Sequence, residues 1–252
     1  ENGFGYIKVD YNAPTGFGCD GGDSPAEELR RHLDGVTEFF RRMRREIPEL
    51  VIEICSSGGH RLSPAWMRLG TMASFSDAHE SIEIPIIAAN TARMIPMRHN
   101  QIWAVLHPDD DERRLGYSLA AGMLGRLCLS GELSRLDARR QQLVDDALAF
   151  YRQAVPVIRR GETELLRDMS EAWTRPAGTQ CFLRRCKEHT LAVVHTFADS
   201  PDTLRIPLKG EPRITAAFLP AGTTAEVIGE ELLLRCLAPF TGAALLLERF
   251  SG

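Results

Sequence analysis

Three hydrophilic side chains alternate with apolar ones in a short stretch near the start of the chain. The stretch is YIKVDYN, in which Lys8, Asp10 and Asn12 occupy every second position. Its aromatic and β-branched residues favour a strand, and side chains two apart on a strand point to the same face. One face therefore carries an amine, a carboxylate and an amide. Because a nearby positive charge favours the charged form of a carboxyl group, Lys8 favours an ionised Asp10.

Two further predicted strands end in polar residues. The second strand, residues 50–57 (LVIEICSS), contains Cys55 and is followed by Gly58 and Gly59, and the third, TMASFSD, ends at Asp77. Polar groups at the carboxyl ends of successive parallel strands are typical of (β/α)8-barrel enzymes. An open doubly wound sheet would concentrate them at one switch point instead. The distribution of these residues therefore favours part of a barrel over an open sheet.

The elements that must position these groups alternate between strands and helices. The first helix has clear capping signals, with Ser24 as N-cap, Pro25 at the first helical position and Glu27 completing a capping box. It runs to about Glu46 and stops before Pro48. The remaining helices are predicted at residues 63–69, 80–94, 112–124 and 134–155, and the remaining strands at residues 101–106 and 126–131. This alternation predicts βα units and a parallel sheet.

The sequence changes in character near Gly161. Five short β-like runs follow, separated by Pro, Gly and Asp turns: CFLRRC, TLAVVHTFA, TLRIPLKG, RITAAFLP and ELLLRCL. No long helix is predicted between them, so this part is expected to be a small antiparallel β-sandwich domain. We therefore expect two domains, the α/β part over residues 1–160 and the β-sandwich over residues 161–252.

Composition and charge narrow the classes of function. The 252 residues are 44% hydrophobic and 25% charged, which is ordinary for a globular protein with a buried core. The net charge of -4 argues against nucleic acid or an anionic membrane as a partner, because no basic excess would drive such binding. The sequence contains no run of about 18 apolar residues that could span a bilayer.

The first residues of the chain and its cysteines indicate the cellular compartment. The first residues lack the charged and apolar regions typical of a signal peptide, and the six cysteines include no C-x-x-C pair. We therefore expect a reduced, cytoplasmic protein. Because a strand follows Glu1 almost at once, we also expect the chain to be a piece of a longer protein. His79, His99 and His107 lack a paired ligand spacing, so they do not indicate a metal site.

The three strand ends together resemble a known family. YIKVDYN, ELVIEICSSGGHR and ASFSDAHE, in this order and spacing, resemble glycoside hydrolase family 36, the α-galactosidases or melibiases. That family has Lys-Trp-Asp-x-Asn, then Glu-Asn-Cys-Ser-Gly-Gly-Gly-Gly-Arg, then Trp-x-Ser-Asp. The resemblance covers essentially the whole chain, and it implies the last five βα units of a (β/α)8 barrel followed by the C-terminal β domain. It further implies a large β-sandwich domain and three more barrel strands upstream.

The resemblance also implies roles for individual residues. It implies a retaining α-galactosidase that hydrolyses terminal α-galactosides of the melibiose or raffinose type, with no metal or organic cofactor. Asp10 matches the nucleophile and Asp77 the general acid/base. The residues implied to bind or border the sugar are Lys8, Asn12, Cys55, Gly58, Gly59 and Arg61. The expected partner is therefore an α-linked oligosaccharide or glycoside.

The sequence departs from the family pattern at five positions. Val9 and Ser74 stand where the family has Trp, and Ile54 stands where it has Asn. Ser57 and His60 interrupt the glycine run. Both carboxylates are retained, so the departures concern the choice of sugar rather than the class of reaction.

Simpler interpretations of the same residues stay open. Asp10 could cap a turn, and Asp77 could be the N-cap of the next helix in a capping box with Glu80. Cys55 could be a small buried hydrophobic residue. For the chain as a whole, the alternatives to an α-galactosidase are a non-catalytic or assembly-dependent sugar-binding fragment, an α-N-acetylgalactosaminidase and a transglycosidase. A homo-oligomer is also left open.

Overall fold

A computed structural model of the chain describes residues 3–10, 12, 19, 21–78, 82–170 and 174–249. Gly16 and Gly18 of the first predicted loop, and Glu80 of the predicted capping box, lie outside these residues. The described chain divides into two compact units, one ending at Asp77 and the other beginning at Ala78.

The described residues of the first unit form three parallel strands and two helices. The strands are β1 (Tyr6–Asp10), β2 (Val51–Cys55) and β3 (Met72–Ser74), and β2 pairs with both of the others. The helices are α1 (Pro25–Glu46) and α2 (Pro64–Met67). The start of α1 agrees with the prediction, because the hydroxyl group of Ser24 accepts a hydrogen bond from the backbone N–H of Glu27 at 3.3 Å.

All three strands of this unit end earlier than the sequence predicts. The predicted ends were Asn12, Ser57 and Asp77, whereas the observed ends are Asp10, Cys55 and Ser74. After Cys55 the backbone turns at once, with φ values of 45°, 53° and 95° at Ser57, Gly58 and Gly59. A strand cannot continue through residues in this left-handed region.

Helix α1 covers one face of β1 and β2. Phe40, on α1, forms a buried cluster with Ile52 and Ile54 of β2, and Ile7 and Val9 of β1 pack against that cluster. Since side chains alternate along a strand, Lys8 and Asp10 lie on the opposite face of β1. The apolar alternation of β1 and β2 therefore determines which face is left for polar chemistry.

The second unit begins with a similar alternation of helices and parallel strands. Its helices are α3 (Ile84–Thr91), α4 (Glu112–Gly122) and α5 (Ala138–Arg160), and its parallel pair is β4 (Asn100–Leu106) and β5 (Arg126–Gly131). Short 3-10 helices lie at Met97–His99 and Leu133–Arg135. Helix α5 begins later than predicted because Asp137 caps it, accepting a hydrogen bond from the N–H of Arg140 at 2.8 Å. It also continues through Pro156 to Arg160, five residues beyond the predicted end.

The described residues of this unit also form two antiparallel sheets. Their strands are β6 (Glu162–Met169), β7 (Gly178–Cys186), β8 (His189–Thr196), β9 (Thr203–Pro207), β10 (Arg213–Phe218), β11 (Thr224–Ile228), β12 (Glu231–Arg235) and β13 (Gly242–Glu248). One sheet has the strand order β10-β13-β8-β7-β6 and the other the order β11-β12-β9. Leu183 and Leu245 of the first sheet join Leu234 of the second in one buried core.

Three of these strands were not predicted. β6 is an edge strand whose side chains are largely exposed, so it lacks the apolar alternation that indicates a strand. β11 alternates exposed and half-buried positions without a strong apolar face. β13 is a run of Ala and Leu, which periodicity cannot distinguish from a helix. The division into domains at residue 160 stays a prediction.

None of the described helices is long and apolar enough to cross a membrane.

Candidate active site

The register of the first two strands groups four side chains on one face of the first unit. Lys8 on β1 pairs with Glu53 on β2, and Asp10 pairs with Cys55. Paired residues of neighbouring parallel strands lie side by side, about 4.8 Å apart, on the same face. Lys8, Asp10, Glu53 and Cys55 therefore form one patch, on the face opposite α1.

Lys8 lies between the two carboxylates of this patch. Its Nζ atom is 3.9 Å from Oδ2 of Asp10 and 3.6 Å from Oε1 of Glu53. The Glu53 side chain is only 2% exposed, and the Tyr6 hydroxyl group donates a hydrogen bond to its Oε2 atom. Buried charges are normally paired, and here the pairing fixes the amine next to Asp10. The Asp10 side chain is 40% exposed, so a ligand can reach it.

Glu53 is a site residue that the sequence reasoning missed. It matches the Glu that opens the family's Glu-Asn-Cys-Ser pattern, but no role was predicted for it. Its position in the strand could have indicated a site residue, because side chains two residues apart on a strand lie on the same face and Cys55 was already a candidate. A single charge in an otherwise apolar strand also requires a partner, and Lys8 is that partner.

The loop after β2 lies directly on the segment that carries Asp77. A Cβ atom added at Gly58 would overlap the backbone of Ser76 and Asp77, and one added at Gly59 would lie 2.5 Å from the carbonyl oxygen of Phe75. The N–H of Gly59 donates to the carbonyl oxygen of Ser74 at 3.1 Å. Both glycines also have positive φ, which disfavours any side chain. The glycine pair therefore determines where the backbone of Asp77 lies.

Asn12 ties the same loop to the end of β1. Its Oδ1 atom accepts a hydrogen bond from the N–H of Ser57 at 2.7 Å. One loop thus contacts both carboxylate-bearing segments, through Asn12 on one side and through the backbone of Asp77 on the other. The Asp77 side chain is exposed. The structure therefore brings Lys8, Asp10 and Cys55 together and positions Asp77 through Gly58.

Arg61 lies apart from this group. Its guanidinium group stacks over the ring of Trp66 at 4.8 Å, and its Nη1 atom is 3.4 Å from the carbonyl oxygen of Cys55. Together with Val9 and residues of α1 it lines a cavity of about 250 Å³. Because Val9 is on the face that α1 covers, Arg61 does not join Lys8 and Asp10. Its contact with the Cys55 carbonyl oxygen ties it to the end of β2. That Arg61 borders the sugar stays a prediction.

The departures from the family pattern fall on different faces. Val9 and Ile54 pair in register and pack on the α1 side, away from Lys8. Ser74 is different: Glu53 pairs with Met72, so Ser74, two residues further along β3, shares the face of Glu53. Its side chain is 1% exposed. Ser74 is thus a departure from the family pattern on the face that carries Asp10.

Among the residues that the structure describes, no three His, Cys, Asp or Glu side chains are grouped so that they could hold a metal ion.

Comparison with known proteins identifies the family. The melibiase family model matches residues 1–161. The chain belongs to the melibiase family. The resemblance inferred from the three strand ends is therefore confirmed, and the relatives described next are glycoside hydrolases, as predicted.

The relatives are α-galactosidases. Alpha-galactosidase 2 of Pediococcus pentosaceus is 25% identical over 130 residues, which are 50% of this chain and 18% of the relative. The crystal structure of the α-galactosidase of Lactobacillus brevis is similar with a TM-score of 0.78 and 17% identity, over 98% of this chain and 36% of that one. A family 36 α-galactosidase of Geobacillus stearothermophilus, in complex with raffinose, gives a TM-score of 0.75 and 15% identity, over 96% and 35%.

These likenesses confirm the fold class. The described elements match part of the barrel of the family 36 enzymes together with their β domain. The chain spans about a third of the length of these solved structures and less than a fifth of the Pediococcus relative.

The contact between Gly58 and the Asp77 backbone predicts the effect of a single methyl group. Gly58→Ala should lower the thermal unfolding midpoint of the complete protein, because the new Cβ atom overlaps backbone and the positive φ alone costs about 1–2 kcal/mol. Gly35→Ala is the matched control. Gly35 lies within α1 with open space around it, so alanine there should be neutral or stabilising by up to about 1 kcal/mol. Equal midpoints for the two variants would contradict the packing of the loop on Asp77.

Proposed function

We propose that this chain is the part of a retaining α-glycosidase that carries both catalytic carboxylates, with Asp10 as nucleophile and Asp77 as general acid/base. The observation that carries the proposal is the β1–β2 register, which sets an accessible Asp10 beside the Lys8 amine and Cys55. Membership of the melibiase family supports the reaction class.

The proposed reaction proceeds in two displacements. The Asp10 carboxylate attacks the anomeric carbon while Asp77 donates a proton to the departing glycosidic oxygen, which leaves as an alcohol. Asp77, now ionised, takes a proton from water, and the water oxygen displaces Asp10 to give a product of retained configuration. This mechanism requires the two carboxyl groups to lie about 5–5.5 Å apart across the scissile bond. The Lys8 amine, 3.9 Å from Oδ2 of Asp10, helps to position this carboxylate.

The proposed substrates are oligosaccharides with a terminal α-galactosyl group. The Geobacillus relative is named as a complex with raffinose, and we transfer that substrate class to this chain. Both proton transfer and nucleophilic attack are supplied by side chains, so no cofactor is part of the proposal.

A second candidate function is assembly-dependent sugar binding. It is favoured by the share of the relatives that the chain spans, about a third of each solved structure. The small Ser74 on the site's face also leaves an α-N-acetylgalactosaminidase or a transglycosidase as finer alternatives. Assaying the complete protein both for hydrolysis of an aryl α-galactoside and for binding of galactose distinguishes the candidates, because a sugar-binding protein would bind galactose without hydrolysing the substrate.

Removal of the proposed nucleophile should be rescued chemically. In the complete protein, Asp10→Ala should lower the turnover of an aryl α-galactoside by about 10⁴-fold. Azide should partly restore turnover by entering the space of the missing carboxylate, and the product should be β-galactosyl azide. Asp77→Ala keeps Asp10, so azide should instead intercept the covalent intermediate and give α-galactosyl azide. The α product from Asp10→Ala, or unchanged turnover, would remove Asp10 from the role.

Glu53 should affect catalysis through Lys8. Glu53→Gln keeps the shape and the hydrogen bond from Tyr6 but removes the buried charge 3.6 Å from the Lys8 amine. We expect kcat/KM to fall about tenfold, equivalent to about 1.4 kcal/mol of transition-state stabilisation. Glu49→Gln is the control, because Glu49 is exposed just before β2. The same kcat/KM for both variants would show that Glu53 does not position Lys8.

A further inference from the structure

A polar cavity in the β-rich part of the chain is lined by five cationic side chains. Its volume is about 430 Å³. The cations come from five separate segments: Arg160 ends α5, Arg185 is on β7, Lys187 is in the β7–β8 turn, Lys209 follows β9 and Arg249 follows β13. All of them belong to the second unit.

The cavity has a surplus of positive charge. One acid, Glu162, lines it with the five cations. Arg185 forms an ion pair with Glu164, and Arg249 lies 3.6 Å from Glu188. Within the described part of the chain, Arg160, Lys187 and Lys209 form no ion pair. Because the whole chain carries a net charge of -4, this local excess is opposite in sign to the rest of the protein.

Main-chain hydrogen bonds and strand register hold these side chains together. Arg185 pairs with Glu162 on β6 and with Thr190 on β8. The N–H of Arg249 donates to the carbonyl oxygen of Glu188 at 2.9 Å, and the Arg249 guanidinium donates to the carbonyl oxygen of Lys187 at 3.2 Å. The segment after β13 is thus fixed to the β7–β8 turn. Strand pairing and main-chain hydrogen bonds therefore bring the cations together, and their mutual repulsion lowers the stability of the folded chain.

The helix dipole does not account for this arrangement. A cation in the last turn of a helix is stabilised by the carbonyl groups there, which explains Arg160 at the end of α5. Lys187, Lys209 and Arg249 are on turns and strand ends rather than in the last turn of a helix. Thr190, which is 8% exposed, adds a hydroxyl group to the lining. These groups together match an anionic ligand with several acceptor oxygens.

We propose that this cavity binds the phosphate group of a small molecule, as a site separate from the glycosidase chemistry. A phosphate monoester carries up to two negative charges and three acceptor oxygens, so it can engage Arg160, Lys187 and Lys209 together. A carboxylate offers one charge and two oxygens. Arginine binds phosphate in bidentate fashion and lysine binds it as a point charge. The volume of about 430 Å³ also leaves room for a sugar-sized remainder of the ligand.

Calorimetric titration of the complete protein tests this site. The ligands are inorganic phosphate, glucose 6-phosphate, glucose and acetate, all at one ionic strength. We expect saturable binding of one phosphate-bearing ligand per chain and none of glucose or acetate. Tighter binding of glucose 6-phosphate than of inorganic phosphate would identify a phosphomonoester site, and equal binding a site for the free ion. Both results support the proposal.

Matched variants locate the binding. Lys187→Gln combined with Lys209→Gln should weaken phosphate binding at least tenfold, and the exposed positions of both lysines should leave the unfolding midpoint unchanged. Arg152→Gln, an exposed change on α5 two turns before Arg160, should leave binding unchanged. Either an absence of saturable phosphate binding or equal weakening by both variants would overturn the proposal.

Discussion

The parallel register between β1 and β2 is the constraint on which the candidate active site depends. It places Lys8 beside Glu53 and Asp10 beside Cys55, and α1 fixes which face these side chains occupy by covering Ile7 and Val9 on the other. A shift of one residue would move every side chain of β1 to the opposite face. Lys8 and Asp10 would then lie under α1, where burial of their charges would be costly. Burial of the apolar face of β1 therefore stabilises the register that places Lys8 and Asp10 on the other face.

The loop after β2 extends this constraint to the third strand. Its two glycines allow the backbone to lie against residues 75–77, and Asn12 holds its beginning through the N–H of Ser57. The positions of Asp10 and Asp77 are thus coupled through one short turn. The side chain of Asp77 is exposed, so its placement depends on the backbone rather than on packing of the side chain. A backbone held by strand ends and tight turns loses little conformational freedom when a ligand binds.

Much of the fold and of the candidate active site could be predicted because the sequence patterns that indicate them are local. The N-cap at Ser24, the alternation in YIKVDYN and the glycine pair each depend on neighbouring residues. Glu53 could not be ranked as a site residue in the same way, because its importance comes from a partner 45 residues earlier in the chain. Arg61 was predicted to border the sugar, and this stays a prediction; in the structure its guanidinium group stacks on Trp66. Strands β6 and β13 could not be predicted for the same reason. The exposed edge strand β6 and the Ala-Leu run of β13 form strands because they pair with other strands, which a local sequence pattern does not show.

The identity of the nucleophile is tested most directly by trapping the covalent intermediate. A 5-fluoro-α-galactosyl fluoride reacts through a good leaving group, while its ring fluorine slows both displacements, so the glycosyl-enzyme accumulates. Incubation of the complete protein with this reagent, followed by proteolysis and peptide mass spectrometry, locates the modified side chain. We expect a single fluorogalactosyl ester on Asp10. An ester on any other residue, Asp77 included, would contradict this expectation.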